Sequence, residues 1–539
     1  MHFYSDLATA RSVYGCCFLP NFLIDVGLAL TKVVALKHWD FLLSISVGDN
    51  GNMRGRTMIR GKLIGTKSSL LLFFLPILLS FSVHAMDNAQ SVSQIFDKLG
   101  LSCPVAQPGT DKITIVKTRV PQEVMPKKEW TIILYIAADN DLAPFSIRNI
   151  KQMAKVGSNE HFNIVVQLDI RKSDGEKITR RYCVQKGKVL YLNADDPHSQ
   201  GMDSGDPNTL ISCCDWAITN FPAKYFGLVF WDHGSGILDP QRCRAIRAEE
   251  LFTFNQMTQR FELDRSIGYI DRMLQRGICF DDSTGNYLTN QKLDYALNVV
   301  CSELLGGNKF VFVGFDACLM QMLEVANLMK KYAHIMVGSQ EAGLGYGWNY
   351  ADVLEPFVHG SLEPKDFAKH IVKSYEKSYE KITADYTMSA INLDAIDELE
   401  ENVHNVACIL LKGLRAQKNG MVKKTIKSSR NKMVCTHFDE PSYIDLHHFY
   451  ANLLSNLDYM KLKDSQGEAA FKGELASALL EGQEIVERTV FANSVGKKLF
   501  LARGISIYFP ERFIHPSYLQ TIFAAQNDWI TLLRQYLIL

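Results

Sequence analysis

The sequence predicts an α/β protein built on a mostly parallel sheet flanked by helices, with a smaller C-terminal α+β domain. Three observations carry that prediction. Between Trp130 and Asp394, short apolar runs rich in β-branched residues alternate with stretches of helical periodicity, the pattern of strand–helix–strand crossovers. Two of the runs, FGLVFW (226–231) and FVFVGF (310–315), are almost wholly apolar, as strands buried on both faces must be. Both end in residues that can do chemistry, and in an open parallel sheet ligands bind at the carboxyl ends of the strands.

Ile132 to Ala137 reads as a buried strand ending in Asp139-Asn140-Asp141, followed by a helix through Ile147, Ile150 and Met153. The acidic cluster is open to two readings, a calcium site or the cap of that helix; the spaced oxygen ligands of a calcium loop are missing, which favours the cap. NIVVQLD (163–169) is a second strand, and Ile178 to Leu190 predicts an antiparallel hairpin about Gly187 on the sheet edge. A short helix closing over Trp216 to Phe221 precedes the strand FGLVFW. A long insertion, residues 237–308, separates that strand from FVFVGF, and a helix holds His370 to Tyr379. Residues 130–394 are expected to form one domain and 395–539 a second. The second comprises an amphipathic helix over Asp397 to Gln417, a basic tract over Lys418 to Lys432 read as an exposed loop, and further helices with one strand, GISIYFP (504–510). His447 and His448 lie in a helical pattern and read as structural.

Upstream, residues 58–85 have the layout of a signal peptide: basic residues Arg60, Lys62 and Lys67, an apolar run over 69–83, and small residues at Val83 and Ala85. The run is shorter than the roughly 20 residues of a comfortable membrane span. Such a signal should open a chain, so residues 1–57 are read as a doubtful upstream extension, with translation starting at Met53 or Met58. Residues 86–129, with four prolines, read as a pro-segment or linker. Export makes the destination secreted or periplasmic, with no stable membrane anchor after signal removal. Lys+Arg and Asp+Glu both number 58, so no charge excess points to nucleic acid or an acidic membrane. Twelve cysteines are too few for a disulfide scaffold in a chain of 539 residues.

Chemistry concentrates at the two corners. Asp232-His233-Gly234-Ser235-Gly236 comes after the first run, a tight loop in which backbone can approach a substrate. Asp316-Ala317-Cys318 comes after the second, and apolar positions at Leu319, Met322, Leu323, Ala326 and Met329 predict a helix beginning at Cys318. A helix N-terminus there favours the thiolate. Neighbouring parallel strands would bring His233 and Cys318 together, the base and nucleophile of a thiol hydrolase. Alternation puts Asp316 on the same side as Cys318, where a carboxylate can pair with a guanidinium or ammonium group; a cap on the following helix is the other reading.

The stretches WTIILYIAADNDLAPF (130–145), FGLVFWDHGSG (226–236), VGFDACLMQMLEVA (313–326), VGSQEAGLGYGWNY (337–350) and GISIYFP (504–510) resemble the clostripain-like cysteine peptidases, which share the caspase-type fold. The resemblance runs from about Trp130 to the C-terminus. It implies a caspase-like sheet, His233 as general base, Cys318 as nucleophile, and an oxyanion hole made by the N–H groups of Gly234 and Cys318. It further implies that Asp316 lines a pocket for Arg or Lys at P1, with Glu341 and the loop to 349 as the opposite wall. Many relatives carry a second acidic residue before Gly-Trp, where this chain has Tyr346. Relatives are made as zymogens and cut within the insertion, so Arg242, Arg244 and Arg247 are candidate processing sites that would leave two associated chains. No cofactor is required by this reading, and no metal ligands are assigned, although some relatives depend on calcium. The expectation is an exported endopeptidase acting on protein or peptide substrates. A non-catalytic peptide- or partner-binding protein on the same fold, or a thiol amidase acting on small amides, are the rival readings.

Overall fold

The computed structural model describes residues 40–47, 55–62, 114–117, 126–172, 175–238, 252–256, 259–263 and 277–538. The apolar run 69–83 and the arginines Arg242, Arg244 and Arg247 lie outside the described residues. The described residues fall into two units, one within residues 1–109 and one within 110–539. The first is described through one antiparallel hairpin, β1 (Asp40–Val47) and β2 (Gly55–Lys62).

The second unit runs β3 (Thr114–Lys117), β4 (Lys128–Ala138), α1 (Ala143–Val156), β5 (Phe162–Arg171), β6 (Lys177–Gln185), β7 (Lys188–Tyr191), α2 (Pro207–Asn220) and β8 (Ala223–Trp231). The insertion contributes hairpins β9 (Phe252–Asn255)–β10 (Arg260–Leu263) and β11 (Ile278–Asp281)–β12 (Asn286–Leu288), then α3 (Asn290–Val299). Next come β13 (Phe312–Asp316), α4 (Leu323–Met329), β14 (Ile335–Gly338), α5 (Tyr350–Leu354), α6 (Pro364–Tyr379) and β15 (Thr387–Asn392). The remainder is α7 (Ile396–Ala416), α8 (Met421–Ser429), β16 (Tyr443–Asp445), α9 (Leu446–Ser455), α10 (Ser465–Thr489), β17 (Val490–Val495), β18 (Ser506–Tyr508), α11 (Ile522–Gln526) and α12 (Trp529–Ile538).

Ten strands form one sheet in the order β17-β15-β14-β13-β8-β4-β5-β6-β7-β3. Its centre, β14-β13-β8-β4-β5, is parallel throughout, and antiparallel pairs flank it on both sides. The large, mostly parallel sheet with helices on both faces is the caspase-like architecture expected. Apolar runs form the central strands because both faces are covered. Ile133, Tyr135 and Ala137 of β4 point into one core, and Ile132, Leu134 and Ile136 point into the other. Trp130 anchors the second core edge-on to Phe357 and Phe367, and truncating so large a buried ring costs about 3–5 kcal/mol.

Three elements differ from the sequence reading. The β6–β7 hairpin turns at Gly187, φ +74°, as expected, but β3 pairs outside it and takes the sheet edge. The basic tract forms α8, because Val422, Thr425, Ile426 and Ser429 give it a thin buried face beneath its lysines. Beyond residue 394 there are three strands where one was expected. β17 joins the main sheet beside β15, and β16 pairs with β18. No described helix is long and apolar enough to cross a membrane.

Candidate active site

β8 and β13 are adjacent and parallel, with Trp231 opposite Asp316. Two residues beyond each strand stand His233 and Cys318, and both line one cleft with Trp231, Asp232, Asp316 and Trp348. His233 is 1% exposed and Cys318 7%. Gly234 lets the two corners touch, since a Cβ there would come within 2.5 Å of the Cys318 carbonyl oxygen.

The histidine corner is held by carboxylates. His233 Nε2 and Asp141 Oδ1 are 2.7 Å apart. Asp232, next in the chain, accepts from Asn140 Nδ2 at 2.8 Å and from the Phe280 N–H. Burial lowers the affinity of the His233 imidazole for protons, but Asp141, Asp232 and Asp282 outweigh it and hold its pKa above the ordinary value. Burial likewise pushes the Asp232 carboxyl up to about 7, against the charge of His233 and the Phe280 N–H.

The acidic cluster after β4 therefore serves neither expected purpose. The residue capping α1 is Leu142, which makes no side-chain cap, while Asn140 Oδ1 accepts from the Leu142 N–H at 3.0 Å. Asp139 is spent on cations already in the chain, Arg171 at 2.8 Å and Lys177 at 3.6 Å, and Lys177 also pairs with Asp169 and Asp281. An ammonium group thus stands among these carboxylates. Among the described residues, His404, Cys408 and Asp528 are a group of three potential metal ligands within 4.8 Å of one another; they are partly exposed and do not line the cleft.

The cysteine corner departs from expectation. Cys318 does not open a helix; α4 starts at Leu323 and is capped by Met322. The chain turns at Leu319, φ +64°, and again over Met320–Met322, with Leu319 N–H donating to Glu341 O and Gln321 N–H to Ser339 O. These bonds to the loop after β14 replace the first helical turn, so no helix dipole reaches the sulfur. Cys318 Sγ accepts the Gly343 N–H at 3.0 Å. Burial pushes the thiol up to about 12, against that bond and the charge of Arg260.

Asp316 sits on the cleft wall, 9% exposed, rather than capping a helix. Its two oxygens accept from the Trp348 N–H at 3.1 and 3.0 Å, and Oδ2 from the Tyr350 hydroxyl at 3.0 Å. Burial drives its carboxyl up to about 7 despite these donors. Gly347 is required beside it, for its φ is +62° and a Cβ would come within 2.7 Å of Asp316 Oδ2. Glu341 and Tyr346 are not brought to the cleft. Tyr346 lies under Arg148, 4.2 Å from the ring centre, and meets Phe145 edge-on. Glu341 pairs with Arg260 at 3.0 Å and accepts from the N–H groups of Ala342 and Asp439.

Arg260, on β10 of the insertion, gave no signal in the sequence. Its guanidinium binds Glu341, Asp385 at 2.9 Å and the Ala342 carbonyl at 2.9 Å. Backbone contacts between Arg260 and Leu344, and from Gly345 N–H to Gln259 O, fasten this hairpin to the loop whose Gly343 covers the sulfur. Asp141 did have a signal. The β4–β8 register puts the end of β4 beside the histidine, but the carboxylate that reaches it could not be chosen from the acidic run.

Similarities to known proteins bear on this site. The family model described as Peptidase_C11, clostripain family, matches residues 134–259 and 264–535, more than half of the chain. Clostripain of Hathewaya histolytica is 25% identical over an alignment of 254 residues that covers 43% of this chain and 42% of that protein. The matched part thus spans less than half the length of this relative. The X-ray structure of iotapain, a secreted C11 cysteine protease from Bacteroides thetaiotaomicron, superposes with a TM-score of 0.50 at 14% identity, covering 74% of this chain and 99% of that one. A secreted C11 cysteine protease from the same organism, in complex with an irreversible peptide inhibitor, gives a TM-score of 0.48 at 18% identity, with 75% and 99% covered.

Proposed function

This chain belongs to the clostripain family, and from that premise we propose that it is an exported cysteine endopeptidase that cleaves after basic residues through Cys318 and His233. The observation that supports the reading is the register of β8 and β13, after which His233, Cys318 and the carboxylate of Asp316 all line one cleft at the carboxyl end of the sheet.

In the proposed reaction His233 takes the proton of the Cys318 thiol as Sγ attacks the carbonyl carbon after the P1 residue. The N–H groups of Gly234 and Cys318 receive the oxyanion, and removing one such donor typically costs about 10²–10³ in rate. The imidazolium then gives its proton to the leaving amine as the C–N bond breaks, and a thioester remains. Water, deprotonated by His233, hydrolyses the thioester and restores the thiol. Asp316 receives the guanidinium or ammonium group of P1, and ion pairing with it would favour the charged carboxylate over the neutral form that burial favours.

The chain is proposed to be made as a zymogen. The burial of Cys318 and the fastening of its covering loop by Arg260 support this reading. Cutting after Arg242, Arg244 or Arg247 would leave two associated chains and loosen the β9–β10 hairpin. Export rests on the signal-like stretch 58–85. Calcium dependence is left to titration with a chelator.

Digestion of a denatured protein, with cut sites mapped by mass, tests the reading. Cuts after Arg or Lys that vanish in Cys318→Ala support it. No cuts would favour the binding-protein rival, and activity on small amides alone would favour the amidase. Identical processing of Cys318→Ala expressed by itself would exclude self-cleavage.

A further inference from the structure

β4 and β8 are parallel neighbours with Ile136 opposite Trp231, so the loop leaving β4 passes alongside the histidine corner. That loop is firmly fixed. Asp139 pairs with Arg171 and its carbonyl accepts the Asp282 N–H at 2.9 Å. Asn140 Nδ2 reaches Asp232 at 2.8 Å, the Phe280 carbonyl at 3.1 Å and the Ala137 carbonyl at 3.3 Å. Held between these anchors and α1, Asp141 sets one oxygen 2.7 Å from Nε2 of a histidine that is otherwise enclosed. The Asp232 carboxylate is committed to Asn140 and the Phe280 N–H.

We propose that Asp141 is the third member of the catalytic arrangement, a positioning residue whose carboxylate accepts the Nε2 proton of His233 and thereby orients the ring. The inference rests on the peptidase reading above. With its proton on Nε2, the neutral imidazole carries its basic lone pair on Nδ1, which takes the proton from the Cys318 thiol. The imidazolium so formed keeps its second N–H on the Asp141 oxygen, and the negative charge stabilises it until the proton passes to the leaving amine. Among the groups that act on His233 are Asp141, Asp232 and Asp282, and Cys318 lines the same cleft. Three carboxylates raise the affinity of the ring for a proton, so removing one lowers it.

The test compares Asp141→Asn, Asp141→Ala and Asp141→Glu with the unsubstituted chain. Turnover of a peptide amide with Arg at P1 is followed against pH, with thermal melts to verify folding. Asp141→Asn should lower kcat about 10²-fold with KM within about twofold, and Asp141→Glu should recover part of the loss. The acid limb of the profile should move down by about one pH unit, since an opposite charge at this range shifts a pKa by about that much. A parallel measurement needs no substrate: the rate of Cys318 alkylation by iodoacetamide against pH, read on the Cys318 peptide by mass, should shift in the same direction. Unmoved kcat and unmoved profiles in folded Asp141→Asn and Asp141→Ala would overturn the proposal. A shifted alkylation profile in a chain that cuts no peptide would uphold the coupling of Asp141 to His233 and sink the peptidase reading instead.

Discussion

The histidine corner and the cysteine corner leave neighbouring strands at the same register, yet they are held by opposite means. Charge holds the first: Asp141 on the ring, Asp232 on Asn140, and Asp139 on Arg171 behind them. Backbone and burial hold the second, through Gly343 N–H on the sulfur and the pairing of residues 319–321 with the loop after β14. The imidazole is thus raised in its affinity for a proton, while the thiol is raised to about 12 and covered. The difference teaches where rearrangement must occur. On the zymogen proposal the base is already in place, and the parts that would move lie around the nucleophile, where the insertion is fastened through Arg260.

Removing either corner is the harshest way to break this comparison. Cys318→Ala and His233→Ala should each lower kcat by about 10⁴-fold or more, and the double variant should lose little beyond either one, because groups acting as a unit are not additive. Steady-state turnover at fixed pH checks this. An additive double variant would mean that the corners do not work together.

Loosening only the cysteine corner should act in the opposite direction. In the uncut chain, Arg260→Ala frees the loop carrying Gly343, and alkylation of Cys318 should quicken about tenfold, the effect of about 1.4 kcal/mol on an opening equilibrium. The Asp141–His233 contact should be unaffected. Breaking a buried ion pair costs about 3–5 kcal/mol, so the variant should melt earlier. Burial pushes the Glu341 carboxyl up to about 7, so without its arginine it takes a proton more readily at pH 6 than at pH 8, and the loss of stability should be smaller at the lower pH. Unchanged alkylation would remove Arg260 from any role in covering the sulfur.

The corners were legible in the sequence because buried parallel strands read as unbroken apolar runs, and the residues just beyond such a run in an α/β sheet lie at its working edge. FGLVFW and FVFVGF met both conditions, and their adjacency brings His233 and Cys318 to one cleft. The helix placed at Cys318 was wrong for a definable reason. Leu319 and Met322 keep helical spacing with Leu323, but they are buried in a turn and in the residue before α4, and periodicity alone does not distinguish these from a helix. Asp141 was visible as one of three polar residues after β4, yet only the inter-strand register selects it. Arg260 was illegible, because its partners Glu341 and Asp385 are remote in sequence and no local pattern joins them. β17 was missed since its alternation is weak, with a single buried residue, Ser494, beside the exposed Asn493 and four partly covered ones.

The smallest expected effect sharpens the cysteine corner alone. The carboxyl of Asp316 ordinarily titrates near 3.8, and burial raises it to about 7 in the fold. Between those values the folded chain holds a proton that the unfolded chain has lost, so this group contributes its stability at low pH and loses it as pH rises toward 7. Asparagine does not titrate. The melting temperature of Asp316→Asn relative to the unsubstituted chain should therefore climb between pH 4 and pH 8, on the order of 2 °C. An amidinium compound such as benzamidine should reverse the penalty by pairing with the ionised carboxylate. It should stabilise the unsubstituted chain more at pH 8 than at pH 5 and leave Asp316→Asn almost unchanged. Equal stabilisation of both proteins would show that the cation binds elsewhere, and Asp316 would then be a buried wall residue held by Trp348 and Tyr350 with no part in choosing P1.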